Sequence, residues 1–320
     1  MNEGSDLDRA VRAVIRDCLG VGDGEEVLVV CNPATIGLGE RLRDEAGRAG
    51  ADAVMALIAE RDSHAAEPPA TVAAAMAAAD VVLAPTVQSL SHTAARKRAS
   101  EAGARIATLP GATEEMLARV MSANMEGLRR KGRAVAAALS AASEARITCP
   151  NGSDLRLGLA GREAIPDAGE LTERAAFGNL PCGEGFIAPV EGTTEGTLVV
   201  DGTIAAVGVP ERPVEMRIEG GHLVSASAAE GERLLELLRA HGEDGTNVAE
   251  LGIGTNEKAI LSANLLEDEK ILGTAHVAFG ASAGIGGTVQ VPVHLDCVVM
   301  KPDVALDGEP IIRAGELLIG

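Results

Sequence analysis

The sequence predicts an α/β protein: an N-terminal Rossmann-like parallel-sheet domain followed by a β-rich α+β domain. Three observations lead there. Up to about residue 111, short apolar runs alternate with stretches of helical periodicity, the pattern of a parallel sheet with covered faces. From Arg146 the texture changes to short strands and turns. The chain has 320 residues, enough for two cores, so two domains are expected. The boundary falls near residue 145, giving 1–145 and 146–320.

The elements follow in order. Leu7, Val11, Val14, Ile15 and Cys18 lie at helical spacing behind Ser5 or Asp6 as N-cap. The glycines of LGVGDGEE precede a strand, whereas a dinucleotide fingerprint must follow one, so no such site is assigned. Val27–Cys31 reads as a buried strand broken by Asn32-Pro33, then a helix runs from about Ile36 to Ala49. Ala53–Ile58 and Val81–Ala84 are further strands, with an Ala-rich helix between them. SHTAARKRASEAG is a helix and ARIATLPG a strand. Ligands of such sheets sit beyond the carboxyl ends of the strands. Those ends carry Asn32, Thr86, His92 and Thr108, and a cap for the next helix is enough to account for Thr86 or His92 taken singly. A long helical stretch, the connector between the domains, is expected from about Glu114 to Ala142.

In the second domain, RITC, DLRLGLA, TLVVDG and VEMRIEGGHLV read as strands. The last is a hairpin with Val214, Met216 and Ile218 on one face and its turn at Gly220-Gly221. His222, beside the turn, is expected to be exposed. A helix spans about Ala226–Ala240, with Leu234, Leu235 and Leu238 inward. His241 at its C-terminus needs no role beyond favouring the helix dipole.

Composition excludes some partners. The net charge is −19, unsuited to nucleic acid or an anionic membrane. The short run Arg129-Arg130-Lys131 with Arg133 reads as a solvated helix face. Trp and Tyr are absent and Phe occurs three times, so no aromatic platform can stack bases. The N-terminus MNEGSDLDRAV has no apolar core of a signal peptide, and no segment is long and apolar enough to span a membrane. The five cysteines form no C-x-x-C pair, which suits a reduced cytoplasmic protein with mostly buried thiols.

Chemistry concentrates between Glu250 and Asp296. His294 and Asp296 lie in VQVPVHLDCVV, an alternating run that reads as a strand. Their spacing of two puts both side chains on one face. A histidine and a carboxylate on a rigid strand are part of a metal site, and His276 in GTAHVAFG is the nearest further ligand. Gly280, Gly284, Gly286 and Gly287 let the two histidine segments fold back on each other. A single strand histidine is usually structural, but an aspartate among apolar neighbours needs a partner. Upstream, Glu184 in GNLPCGEGFIAP is held between structured flanks.

The segments NLPCGEGFIAP (179–189), ELGIGTN (250–256), DEKILGTAHVAFG (268–280) and HLD (294–296) occur in an order that resembles the thermophilic metallo-aminopeptidases, the family of aminopeptidase T and aminopeptidase S. A weaker match reaches SLSHTAARKRASEAGARIATLPG. The resemblance implies a homodimeric hydrolase of peptide or amide bonds. Its two divalent ions, zinc, cobalt or manganese, would be held by Glu184, Glu250, His276, His294 and Asp296, with Glu184 also moving protons. One departure stands out: the family's catalytic tyrosine, which follows the third-motif histidine, is replaced by GASAGIGG. The loop before the HLD motif is also shorter. A second branch of the same framework, the 2,5-dihydroxypyridine 5,6-dioxygenases, uses one Fe(II), and its ligands match His276, His294 and Asp296. A non-catalytic ligand-binding protein on this scaffold is a third alternative. Five intact ligand positions oppose it.

Overall fold

A computed structural model describes residues 5–320; the first four residues of the acidic N-terminus lie outside the described part. Two compact units form. The first takes the chain up to Ala123 together with Gly169–Cys182, and the second takes Asn124–Ala168 and Gly183–Gly320.

The first unit is built on a five-stranded parallel sheet. Its strands run in the order Asp52–Leu57, Glu26–Cys31, Val81–Ala84, Arg105–Thr108 and Phe177–Asn179. The alternating α/β reading of the sequence matches this sheet. The fifth strand was not expected, because it arrives from beyond residue 145. Parallel central strands are covered on both faces, which is why Val81–Ala84 is apolar and buried throughout. Leu28, Val30, Met76, Val82, Leu90 and Ile106 form part of its core. Ser5 opens the first helix with a capping box shared with Asp8. That helix, Asp6–Arg12, continues as a π-helical turn through Ala13–Cys18.

The second unit stacks an eight-stranded sheet on a five-stranded one. The large sheet runs His222–Ala226, Val214–Glu219, Glu195–Val200, Asp154–Gly158, Glu144–Thr148, Asp303–Leu306, Glu309–Arg313 and Glu316–Leu317. The small sheet runs His294–Val299, Ala275–Gly280, Val248–Gly254, Glu184–Ile187 and Ile165–Asp167, all antiparallel. Leu155, Leu198, Val214 and Met216 from the first meet Leu251, Ile253, Val277 and Phe279 from the second in one core. Each fully buried side chain of this size contributes about 1.5–3 kcal/mol by leaving water. The helix Met125–Ala141 adds Val135 and Leu139 to that core.

Four expectations change. The long helical stretch breaks into Glu114–Val120 and Met125–Ala141, because Asn124 caps a new helix by accepting from Gly127 N–H at 3.2 Å. The chain therefore changes unit at residue 124 rather than near 145, and Gly169–Cys182 returns to the first unit to add its fifth strand. His222 is half-buried, held 3.2 Å from Thr246 Oγ1. The basic run is not a simple solvated face, since Lys131 is half-buried and pairs with Glu257 at 2.7 Å. Cys18, Cys31, Cys182 and Cys297 are buried, and Cys149 is half-buried. Among the described residues, no helix is long and apolar enough to cross a membrane.

Candidate metal centre

The small sheet of the second unit has two unlike faces. One face, with Ile187, Leu251, Ile253, Val277, Phe279, Cys297 and Val299, joins the core. The other follows from the period of two and the register between strands. Gly254 pairs with Glu184, Gly252 with His276, Ala278 with Asp296 and Gly280 with His294. Glu184 in turn pairs with Asp167. Glu184, Glu250, His276, His294 and Asp296 therefore project from one face across four adjacent strands. Glu250 shares this face with Gly252 and Gly254 by the same period, and the bulge between Val248 and Glu250 turns Val248 to the core face.

The five side chains lie close together. His276 Nε2 is 3.0 Å from Glu184 Oε2 and 3.3 Å from Glu250 Oε1. His294 Nε2 is 3.3 Å from Glu250 Oε2 and 3.6 Å from Asp296 Oδ1. Glu250 thus spans both imidazoles with its two oxygens. His294 Nδ1 lies 2.8 Å from the Ala281 carbonyl. Donation from Nδ1 leaves Nε2 facing the carboxylates, the arrangement a metal-binding imidazole requires. Two glycines on this face make the close approach possible. A Cβ on Gly252 would stand 2.0 Å from His276 Nε2, and one on Gly254 would stand 2.1 Å from the Ile271 carbonyl.

Three more ionisable residues complete the cluster, and the sequence reading missed all of them. Lys270 is fully buried and pairs with Glu184 Oε1, with Glu269 Oε1 at 2.7 Å and with Asp167 Oδ2 at 3.5 Å. Glu267-Asp268-Glu269-Lys270 looks like a solvated helix end, yet all four are buried. The available signal was that this charged run is flanked by apolar residues on both sides, Leu265-Leu266 before it and Ile271-Leu272 after it. Asp268 is held by Ser262 N–H at 2.7 Å and by the Thr203 hydroxyl. Glu267 accepts from Ile260 N–H at 3.0 Å.

The electrostatics form a balanced set. Burial opposes ionisation of Glu184, but Lys270 and His276 outweigh it and hold the carboxyl below its usual range. Burial likewise opposes a cation on His276 and on His294. The charge of Glu184 on the first, and of Asp296 on the second, pushes both imidazoles well above their usual value. Glu250 and Asp296 are lowered against burial by hydrogen bonds and charge from the histidines. Asp167 is pushed up to about 7 and Glu269 to about 8, chiefly by burial. Lys270, His276 and His294 on one side and Glu184, Glu250 and Asp296 on the other thus favour one another's charged forms. His276 Nδ1 and Glu184 Oε2 make no hydrogen bond although both are buried. The donor set fits a divalent metal in three overlapping groups: Glu184–Glu250–His276, Glu250–His294–Asp296 and Glu269–His276–Asp296.

The strand ends of the first unit are structured by their own contacts. Asn32 accepts from Val87 N–H at 2.8 Å and donates to the Ile58 carbonyl at 3.1 Å. Thr86 donates to the Gln88 carbonyl at 2.7 Å. Thr108 donates to Asn179 Oδ1 at 2.6 Å and lies 2.8 Å from the Ser91 hydroxyl. His92 is exposed.

Known proteins share this layout. The 2,5-dihydroxypyridine dioxygenase of Pseudomonas putida KT2440 superposes with a TM-score of 0.85 at 20% identity, covering 98% of both chains. AmpT from Thermus thermophilus superposes with a TM-score of 0.71 at 21% identity, covering 98% of this chain and 99% of its own. At these identities the likeness establishes the mixed α/β fold that the sequence predicts. In sequence, the 2,5-dihydroxypyridine 5,6-dioxygenase of Pseudomonas putida is 25% identical over 260 residues, 76% of this chain and 72% of the relative. The family resemblance read from the four motifs agrees with these findings, and the chain is an enzyme. The profile of the NicX family of 2,5-dihydroxypyridine 5,6-dioxygenases matches residues 10–319, and the chain belongs to that family.

Proposed function

We propose that this enzyme is a metal-dependent dioxygenase that opens a hydroxylated aromatic ring of the dihydroxypyridine class. The order of the two readings drawn from the sequence is thereby reversed, with ring cleavage ahead of amide hydrolysis. The observation that carries it is the family match across residues 10–319, which spans a two-histidine, one-carboxylate set on adjacent strands. His276, His294 and Asp296 would hold the ion, and Fe(II) is the metal that this donor set with open positions suits. When bound, iron supplies the redox chemistry with O2 that no side chain of this site can provide.

The chain's own residues supply the rest. The Ala281 carbonyl fixes the orientation of His294. Glu250 bridges the two imidazoles and holds their spacing. Glu184, kept ionised by Lys270 and His276, is the group placed to take a proton from a ring hydroxyl. Ring cleavage does not call for the peptidase tyrosine, which this sequence lacks.

One observation favours a second reading. Glu184 and Glu250 give two triads that share Glu250, as a dinuclear zinc, cobalt or manganese hydrolase requires. Elemental analysis and two assays separate the cases. The dioxygenase reading expects about one iron per chain and O2 uptake coupled to loss of dihydroxypyridine absorbance after anaerobic Fe(II) loading. Two zinc or cobalt ions, with release of an N-terminal residue from a short peptide and no O2 uptake, would establish the hydrolase instead.

A further inference from the structure

Lys270 is a fully buried ammonium set directly behind the cluster of metal-capable side chains. Burying an unpaired ammonium is prohibitive, so its neighbours must be anions. Three surround it: Glu184, Glu269 and Asp167. Of these, Glu184 is in direct contact with an imidazole of the cluster, and Glu269 lies near the same His276 within a metal-capable group. Lys270 takes Oε1 of that carboxylate. The other oxygen, Oε2, is left without a hydrogen bond, 3.0 Å from His276 Nε2. The two oxygens of Glu184 are thus divided between two tasks.

The backbone fixes Lys270 as firmly as its charge partners do. Its N–H donates to the Glu267 carbonyl at 2.9 Å, and its carbonyl accepts from Asn256 N–H at 2.9 Å. The segment then turns at Gly273 into Ala275–Gly280, the strand that carries His276. Lys270 and His276 therefore reach Glu184 from one short, tied-down segment.

We propose that Lys270 is a positioning residue of the metal centre: it holds Oε1 of Glu184 so that Oε2 alone is presented to the ion and to His276. The inference rests on the metal-centre reading above. A purely electrostatic role makes the opposite prediction, because deleting a positive charge beside a cation site should tighten cation binding. Loss of affinity on deleting Lys270 therefore reports lost orientation.

The test titrates metal-free protein with Co(II) and records the visible absorption bands. Wild type, Lys270→Met, Lys270→Arg, Glu184→Gln and the double variant Lys270→Met/Glu184→Gln are compared, each checked for native circular dichroism. Lys270→Met should bind Co(II) about 10–100-fold more weakly, the range for losing a partner that orients a ligand, and its bands should change. Lys270→Arg keeps a charged donor and should recover most of the affinity. The double variant should bind no more weakly than Glu184→Gln alone, because Lys270 acts through that carboxylate. Unchanged or tighter binding by folded Lys270→Met, or losses that add in the double variant, would overturn the proposal. Should Lys270→Met fail to fold, wild type with 13Cε-labelled lysine decides. The Lys270 resonance must shift on adding Zn(II), and an unmoved resonance overturns the proposal. If wild type itself binds no Co(II), the metal-centre reading fails, an outcome distinct from wild-type behaviour in the variant.

Discussion

Gly252→Ala should remove the metal without unfolding the protein. Gly252 lies opposite His276 in the register of two antiparallel strands, and its φ is outside the left-handed region, so the backbone accepts alanine. The obstacle is the side chain across the strand. A Cβ would stand 2.0 Å from Nε2 and 2.2 Å from Cε1 of His276, while ordinary contact begins at 3.4 Å. The imidazole must retreat by about 1.4 Å, whereas metal–ligand distances hold to about ±0.2 Å. His276 cannot then bind the same ion as His294 and Asp296. Overpacking of this kind costs about 1–3 kcal/mol, less than the roughly 5–15 kcal/mol that stabilises a domain. Calorimetric titration with Zn(II) should show affinity lowered by at least about 10²-fold, with native circular dichroism. Gly252→Ala/His276→Ala should bind no more weakly than His276→Ala alone. Wild-type affinity in folded Gly252→Ala would refute the claim that this glycine sets the imidazole's place.

Further outcomes follow from the same geometry. Asp296→Ala should lose the ion altogether, while Glu184→Gln should keep it at saturating metal and lower turnover by about 10²-fold, as for a positioned acid–base group; equal metal contents in the two variants would contradict this. Loading a divalent ion at neutral pH should release protons, because the neighbouring carboxylates raise both imidazoles and a ligating nitrogen must be deprotonated; a pH-stat titration that records no release would oppose the placing of the ion on the histidines. Without metal, stability should fall as pH rises from about 5 to 8.5. Asp167 and Glu269, raised to about 7 and about 8, and the two raised histidines bind more protons folded than unfolded. Their contribution is full below the unfolded values and is lost as pH rises through the folded ones. The lowered carboxylates, Glu184, Glu250 and Asp296, contribute fully above about pH 4.5 and do not reverse that trend. Melting curves in chelator should show this decline, and saturating metal should flatten it by replacing the imidazole protons; a rising curve in chelator would oppose the assignment.

The sequence by itself determined what is local. Alternating apolar runs and helical stretches specify the parallel sheet of the first unit, because the apolar runs of Val27–Cys31 and Val81–Ala84 report their own burial, although the edge strand Asp52–Leu57 is apolar and largely uncovered. The period of two puts His294 and Asp296 on one side of their strand, and Gly280 and its neighbours allow His276 to fold back beside them. Motif order pointed to Glu184 and Glu250. What only the tertiary structure decided depends on register and on the far partner. The pairing of Glu250 with Ala278, itself opposite Asp296, sets that carboxylate between the two imidazoles. The pairing of Gly252 with His276 leaves no room for a Cβ at that motif position. The strand Phe177–Asn179 adds to Arg105–Thr108 across a long sequence gap, so no boundary near residue 145 could be read from texture alone. Lys270 and Glu269 carry the charge of a surface run, and a charge is buried or solvated according to which opposite charges the fold brings to it. Asp167, Glu184 and Lys270 come from separate strands and a turn, and their mutual neutralisation exists only once the sheet has formed.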